Sequence, residues 1–244
     1  SSSECPTSLD FVTLALSSTA LENDEVVALG SGKYPSPRVL RLTLFRHEMV
    51  PFLRALVNCQ EEPKFEELRL DFMISEEGGG GGEGLFIQTV RLLSDAIVLG
   101  RIDSIRSLTI LGKSSHVSRR EVMFGFFSAL ASRKLPFLLR FSGEGFSVTD
   151  SEAIALGEAV KVGNLPSLRE LILKRRKVDE ECLGKVGMEA LMGAVTESAE
   201  GLPLLVEIDL SSTHAGMGGR SLGTALMSGK LGSPAVIRMR NCSL

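Results

Sequence analysis

His47, His116 and His214 are the only imidazoles in this chain, so any Ser/His/Asp or Cys/His nucleophile would have to be built around one of them. They lie in three separate segments of the sequence. Paired acids, Glu66-Glu67 and Asp179-Glu180-Glu181, are the residue types that bind a metal or share acid–base work, but no further ligand converges on either group. Two glycine-lysine stretches approximate phosphate loops. Gly223-Thr-Ala-Leu-Met-Ser-Gly229-Lys230 has five residues between its glycines where a phosphate loop has about four, and no Ser or Thr follows the lysine. Gly30-Ser-Gly-Lys33 lacks the upstream glycine. Both read as helix terminations. Cys5, Cys59, Cys182 and Cys242 are scattered without a C-x-x-C pair, which suits neither zinc nor a disulfide framework and implies reduced thiols in an intracellular compartment.

The elements that must carry these residues are repetitive. A strand-like phrase of the form L-x-x-L-x-L returns about eight times, its first apolar position falling at Phe11, Val39, Phe65, Ile105, Leu138, Leu168, Leu205 and Val236. The steps between these positions, 28, 26, 40, 33, 30, 37 and 31 residues by subtraction, are repeat-array spacing. Apolar residues two apart share one face of a strand, as in Leu168-Arg-Glu-Leu171-Ile-Leu173, and the residues between them face the other way. Three copies share a lead-in, Leu135-Pro-Phe-Leu138, Leu165-Pro-Ser-Leu168 and Leu202-Pro-Leu-Leu205, whose proline stops the preceding helix and biases its neighbour toward extended backbone.

A helical period follows each phrase. Val122, Met123, Phe126, Phe127 and Leu130 fall on one side of a helix, and Thr149-Asp-Ser-Glu152 is a capping box for the next. Each strand-plus-helix unit can bury its apolar side only against its neighbours, so the expected architecture is a solenoid over residues 1–244 as one domain. In such an array the three histidines stay apart. The long 40-residue step contains Glu76-Glu-Gly-Gly-Gly-Gly-Gly-Glu-Gly84, read as an inserted surface loop at about 76–84. The chain lacks an initiator Met and ends inside a strand phrase, and it reads as a processed chain or one segment of a longer protein.

These phrases resemble leucine-rich repeats of the ribonuclease-inhibitor type. Thr149-Asp-Ser-Glu-Ala-Ile-Ala-Leu-Gly-Glu-Ala-Val160 leading to Leu165-Pro-Ser-Leu168 carries the likeness, as does Gly216-Met-Gly-Gly-Arg-Ser-Leu222-Gly-Thr-Ala-Leu226. The resemblance implies an α/β horseshoe, with a parallel β-sheet on the concave side and helices on the convex side. It also implies binding of other proteins through the concave face and its rim loops; some members are inhibitors, some sensors, and one group activates a small GTPase. The chain departs from the pattern three residues beyond the last strand leucine, where the family often has Asn or Cys. Here those positions read Thr19, His47, Met73, Lys113, Phe146, Arg176 and Thr213. The fifth copy is degraded, with Leu138, Phe141 and Gly143 at its leucine positions.

Outward-facing strand positions carry Arg41 and Arg46, then Glu66, Glu67, Arg69 and Asp71, then Arg106. Further along come Arg140 and Glu144, then Arg169, Glu170, Lys174 and Arg175, then Glu207 and Asp209, then Arg238 and Arg240. Alternating signs and a net charge of -3 suit a protein partner, where complementarity sets orientation, and not a nucleic-acid backbone, which wants one continuous positive track. The densest feature, Lys174-Arg175-Arg176-Lys177, reads as a solvated turn, an anionic contact or a nuclear-import signal. The expected function is a non-enzymatic interaction scaffold or complex subunit, with no cofactor. Two other readings stay open: a regulator of a partner enzyme acting through Arg175 or Arg176, and a peripheral ribonucleoprotein subunit touching RNA at 174–177. No segment reaches the length of about 18 apolar residues that a membrane span needs, so membrane insertion is not expected. The expected location is intracellular, in the cytoplasm before the nucleus or an organelle.

Overall fold

Alternating leucines are buried on one side of each strand because the pleat sends successive side chains to opposite faces. On the strand Val39–Phe45, Leu40, Leu42 and Leu44 are buried, while Arg41 is exposed. The computed structural model describes residues 13–17, 23–31, 37–60, 63–73, 82–112, 120–144, 148–175, 182–232, 234 and 236–242. Among the described residues eight strands alternate with seven helices. The strands are β1 (Thr13–Ser17), β2 (Val39–Phe45), β3 (Glu67–Met73), β4 (Ser107–Gly112), β5 (Arg140–Ser142), β6 (Glu170–Ile172), β7 (Glu207–Asp209) and β8 (Val236–Arg238). The helices are α1 (Asn23–Gly30), α2 (Arg46–Asn58), α3 (Gly82–Val98), α4 (Arg120–Leu130), α5 (Asp150–Lys161), α6 (Lys185–Glu197) and α7 (Gly219–Met227), the last preceded by a short 3₁₀ turn at Ala215–Gly218.

All eight strands form one parallel sheet in the order β1 to β8, so each strand pairs with its neighbours in sequence. Each helix from α2 to α6 packs against the helix before it and the helix after it. The result is an α/β array of solenoid-like topology. One continuous apolar core runs from Val26 to Leu231 between the sheet and the helices. On β8 Ile237 is 37% exposed, whereas Ile208, its partner in register on β7, is 0% exposed.

Pairing moves two of the expected copies by two residues. Val39 lies opposite Glu67, and Phe65 stands two residues before Glu67, so the first position of the second copy is Pro37, which is buried. Likewise Val236 lies opposite Glu207, two residues after Leu205, which makes Pro234 the first position of the eighth copy. A two-residue slip leaves every side chain on its expected face, and for that reason the sequence pattern tolerates both registers. Part of the glycine-rich tract expected as a loop at about 76–84 is helical. α3 starts at Gly82, so Gly82–Gly84 belong to its first turn; the tract before Gly82 lies outside the described residues. Phe86, Val90, Leu93 and Ile97, spaced at helical intervals and buried, extend the helix back toward its glycines.

The degraded fifth copy pairs on both sides nonetheless. Gly143 contributes no side chain to the core, but Phe141 is buried there with Phe126 and Phe127 of α4. The ring centroids lie 6.1 Å from Phe126 to Phe141, 5.8 Å from Phe127 to Phe141 and 5.5 Å from Phe126 to Phe127. Three aromatic rings thus supply bulk in the layer where one leucine is missing.

Candidate functional site

Parallel pairing stands residues of equal register side by side, about 4.8 Å apart. On the face turned away from the core, Glu67, Ser107, Arg140, Glu170, Glu207 and Val236 form one row. Arg69, Thr109, Ser142, Ile172, Asp209 and Arg238 form the next. Charges that alternate in sequence therefore meet across strands. Arg41 Nε donates to Glu67 Oε1 at 3.1 Å, and Arg140 Nη1 lies 2.8 Å from Glu170 Oε2. Lys174 Nζ lies 3.1 Å from Glu144 Oε1, and Arg238 pairs with Glu207. Much of the mixed charge expected to await a partner is consumed within the sheet.

The other candidate residues have different fates. Asp209 is 6% exposed, and its Oδ1 accepts the backbone N–H of Ser211 at 3.0 Å, so it stabilises the turn after β7 and offers no surface to a partner. With Ser142 and Ile172 it makes a buried stretch of the outward face between β5 and β7. Arg175 is half-buried and its backbone N–H donates to Ser211 O at 3.0 Å. Arg176 and Lys177 lie outside the described residues, so only half of the basic run has a position. Arg169 and Arg240 are exposed, and neither has an ion-pair partner among the described residues.

A second line of side chains runs where the chain enters each strand. The backbone N–H of Glu66 donates to Arg38 O, that of Arg106 to Glu66 O, that of Leu139 to Arg106 O, that of Arg169 to Leu139 O and that of Val206 to Arg169 O, all at 2.7–2.8 Å. This lead-in ladder fixes Arg38, Glu66, Arg106, Leu139, Arg169 and Val206 in file. Its first two members are locked: Arg38 donates to both oxygens of Glu66, Nε to Oε1 at 2.9 Å and Nη2 to Oε2 at 2.8 Å. That fork, helped by the charge of Arg106, holds the Glu66 carboxyl below the usual glutamate range. Beyond Glu66 the ladder is open. Arg106 and Arg169 are exposed, Leu139 is half-buried, and Val206 is 44% exposed. The x positions of the Leu-Pro-x-Leu lead-ins flank it, with Phe137 59% and Leu204 46% exposed. A cleft of about 380 Å³ opens beside Phe137, lined also by Pro63, Lys64, Glu66, Asp103, Ser104 and Arg106.

Sequence reasoning placed Arg106 and Arg169 on this surface but missed Phe137, Leu204 and Val206. The available signal was the lead-in itself: an apolar residue at x, after the proline, has no core to enter because the flanking leucines already fill it.

The remaining candidate chemistry stays dispersed. His214 follows β7, with its backbone N–H on Leu183 O at 2.8 Å; His47 lies in the first turn of α2; His116 lies outside the described residues. The glycine-lysine stretch at 223–230 spans α7 and its exit, where Gly229 has φ +71° and ends the helix as expected. Among the described residues no three His, Cys, Asp or Glu side chains group as metal ligands would. Cys59 and Cys182 are buried and Cys242 is half-buried. Among the described residues no helix is long and apolar enough to cross a membrane. Neither a protein-family model nor a curated protein matches the chain.

Proposed function

We propose that this chain is a leucine-rich repeat protein of the ribonuclease-inhibitor-like type. Its parallel sheet would line the concave side of a horseshoe and its helices the convex side. On this reading it works as a non-enzymatic interaction scaffold, or complex subunit, that docks a protein partner on the sheet face and its rim. The observation that supports the function is the pairing of outward charges from strand to strand. Once Arg41, Arg140, Lys174 and Arg238 are neutralised by Glu67, Glu170, Glu144 and Glu207, the described residues of the sheet face present no continuous positive track for a phosphate backbone. What stays open is a mixture of apolar side chains and a few arginines, the composition that protein interfaces favour.

The test is cross-linking of the native complex, purified in parallel with and without nuclease. The reading expects a protein that survives nuclease and cross-links to residues of the sheet face or the strand lead-ins. Loss of the complex on nuclease treatment would replace it with the ribonucleoprotein reading. A partner cross-linked only to helix residues would place the docking surface on the opposite layer and overturn the assignment.

A further inference from the structure

Arg106, Leu139, Arg169 and Val206 stand in one hydrogen-bonded file, cation and apolar residue in strict alternation. Neither arginine has an ion-pair partner among the described residues, although Glu66 lies near enough to Arg106 for each to feel the other's charge. Phe137 and Leu204, the most exposed apolar side chains of the lead-ins, widen the apolar rungs of this file. Such a surface suits a partner that is both acidic and apolar. Solvated arginines gain by meeting carboxylates, and clustered apolar side chains gain by being covered.

We propose that this file is the docking track for an acidic amphipathic helix of a protein partner, a reading that rests on the protein-scaffold function above and narrows it to one edge of the sheet. The argument is spacing and charge. The rungs advance about 4.8 Å each, so Arg106 to Val206 spans about 14 Å. A helix laid across the strands advances about 5.4 Å per turn, so side chains one turn apart cover the same track in about 16 Å. A carboxylate, an apolar residue, a second carboxylate and a second apolar residue, each three or four positions on, meet Arg106, Leu139, Arg169 and Val206 in turn. An extended segment fits less well, because its same-face side chains recur every 6.6–6.8 Å or so and fall out of step by the third rung.

The probe is an alanine-based helical peptide carrying Glu and Leu alternately at every third or fourth position, titrated by fluorescence anisotropy against the full chain. A control peptide has Lys in place of each Glu. The protein variants are Arg169→Glu and Phe137→Ser, both at exposed positions, with thermal melts to show that each stays folded. Binding of the acidic peptide, weakened at least tenfold by either variant and absent for the lysine peptide, is the expected result. Wild-type affinity retained by either variant, or no binding to the wild type, overturns the proposal, as does preferential binding of a single-stranded RNA of similar length. The same variants, with Arg69→Glu on the sheet face, are then tested on the native complex. If only Arg69→Glu releases a nuclease-resistant partner, the scaffold reading survives and the helix track fails. If the partner is lost to nuclease in every case, the scaffold reading itself falls.

Discussion

Asp150 Oδ1 accepts the backbone N–H of Gly184 at 2.7 Å, so a carboxylate from the start of α5 caps the start of α6. Gly184 is the N-cap of α6 and has no capping side chain of its own. The free N–H groups of a helix start need acceptors, and a negative charge is favoured there by the helix dipole. Two adjacent repeats thus share a cap: Thr149 and Glu152 close the box on α5, and Asp150 serves the neighbouring α6. A sharing of this kind ties helix formation in one unit to docking of the next.

The shared cap requires a close approach at Gly187, where an added Cβ would sit 2.6 Å from Asp150 Oδ1 and 2.8 Å from Asp150 Cα. Gly187→Ala is therefore expected to destabilise the fold by about 1–3 kcal/mol, because backbone has to move. Gly193, in the same helix, has open space around its Cβ direction. Gly193→Ala is expected to stabilise by about 0.5–1 kcal/mol through helix propensity alone. Urea unfolding of the two variants checks both signs; a stable Gly187→Ala would refute the shared-cap account.

The aromatic layer of the fifth copy carries a second expectation. Phe141→Ala removes one ring from a trio in which every pair of centroids lies within 6.1 Å, and it should cost about 3–5 kcal/mol. Coupling between Phe141 and Phe126 should reach about 0.5–1.5 kcal/mol in a double-mutant cycle. Strict additivity in that cycle would mean the rings do not share the load left by Gly143.

Faces and element types were legible in the sequence because the two periods differ sharply: alternate leucines bury one side of β2, and helical spacing buries Phe126, Phe127 and Leu130. Register was legible only to within one pleat repeat. Val39 and Val236 look like first positions, yet the hydrogen bonds of β3 and β7 put Pro37 and Pro234 there. A proline in both places hides the start of the phrase from a search for leucine-like residues. The paired state of the surface charges was hidden as well. Arg140 and Glu170 are 30 positions apart by number, and nothing local records that they touch at 2.8 Å. Exposure of Phe137 and Leu204, by contrast, had a local signal in the lead-in, whose flanking leucines already fill the core.

Glu66 offers a readout of the lead-in ladder by pH. The Arg38 fork lowers its carboxyl below the ordinary range, so the folded state holds the ionised form more tightly than the unfolded chain does. The stabilisation is present above the unfolded-state pKa and is lost as pH falls through the lower folded-state value. Carbon-detected NMR titration should find Glu66 titrating below ordinary glutamates, and Arg38→Gln should return it most of the way, leaving the smaller influence of Arg106. An unshifted wild-type Glu66 would show that the fork does not persist in solution.

Thr213 tests how the turns manage their buried backbone without asparagine. The residue is fully buried; its Oγ1 donates to Leu210 O at 2.7 Å and accepts the N–H of Ala215 at 3.2 Å. Cys242, one register step along, sends its thiol to the same Leu210 carbonyl at 3.2 Å. One hydroxyl and one thiol therefore do the work of an amide ladder at this end of the array. Thr213→Val keeps the shape but leaves the Ala215 N–H buried and unpaired, and it should cost about 1–3 kcal/mol. Thr213→Ser keeps the hydroxyl and should retain more of the stability, losing only methyl packing. If valine proves as stable as threonine, the turn is held by its backbone bonds alone, such as the His214 N–H on Leu183 O at 2.8 Å. Because the serine variant differs from wild type in packing and the valine variant in hydrogen bonding, the order wild type, serine, valine is the signature of a polar ladder.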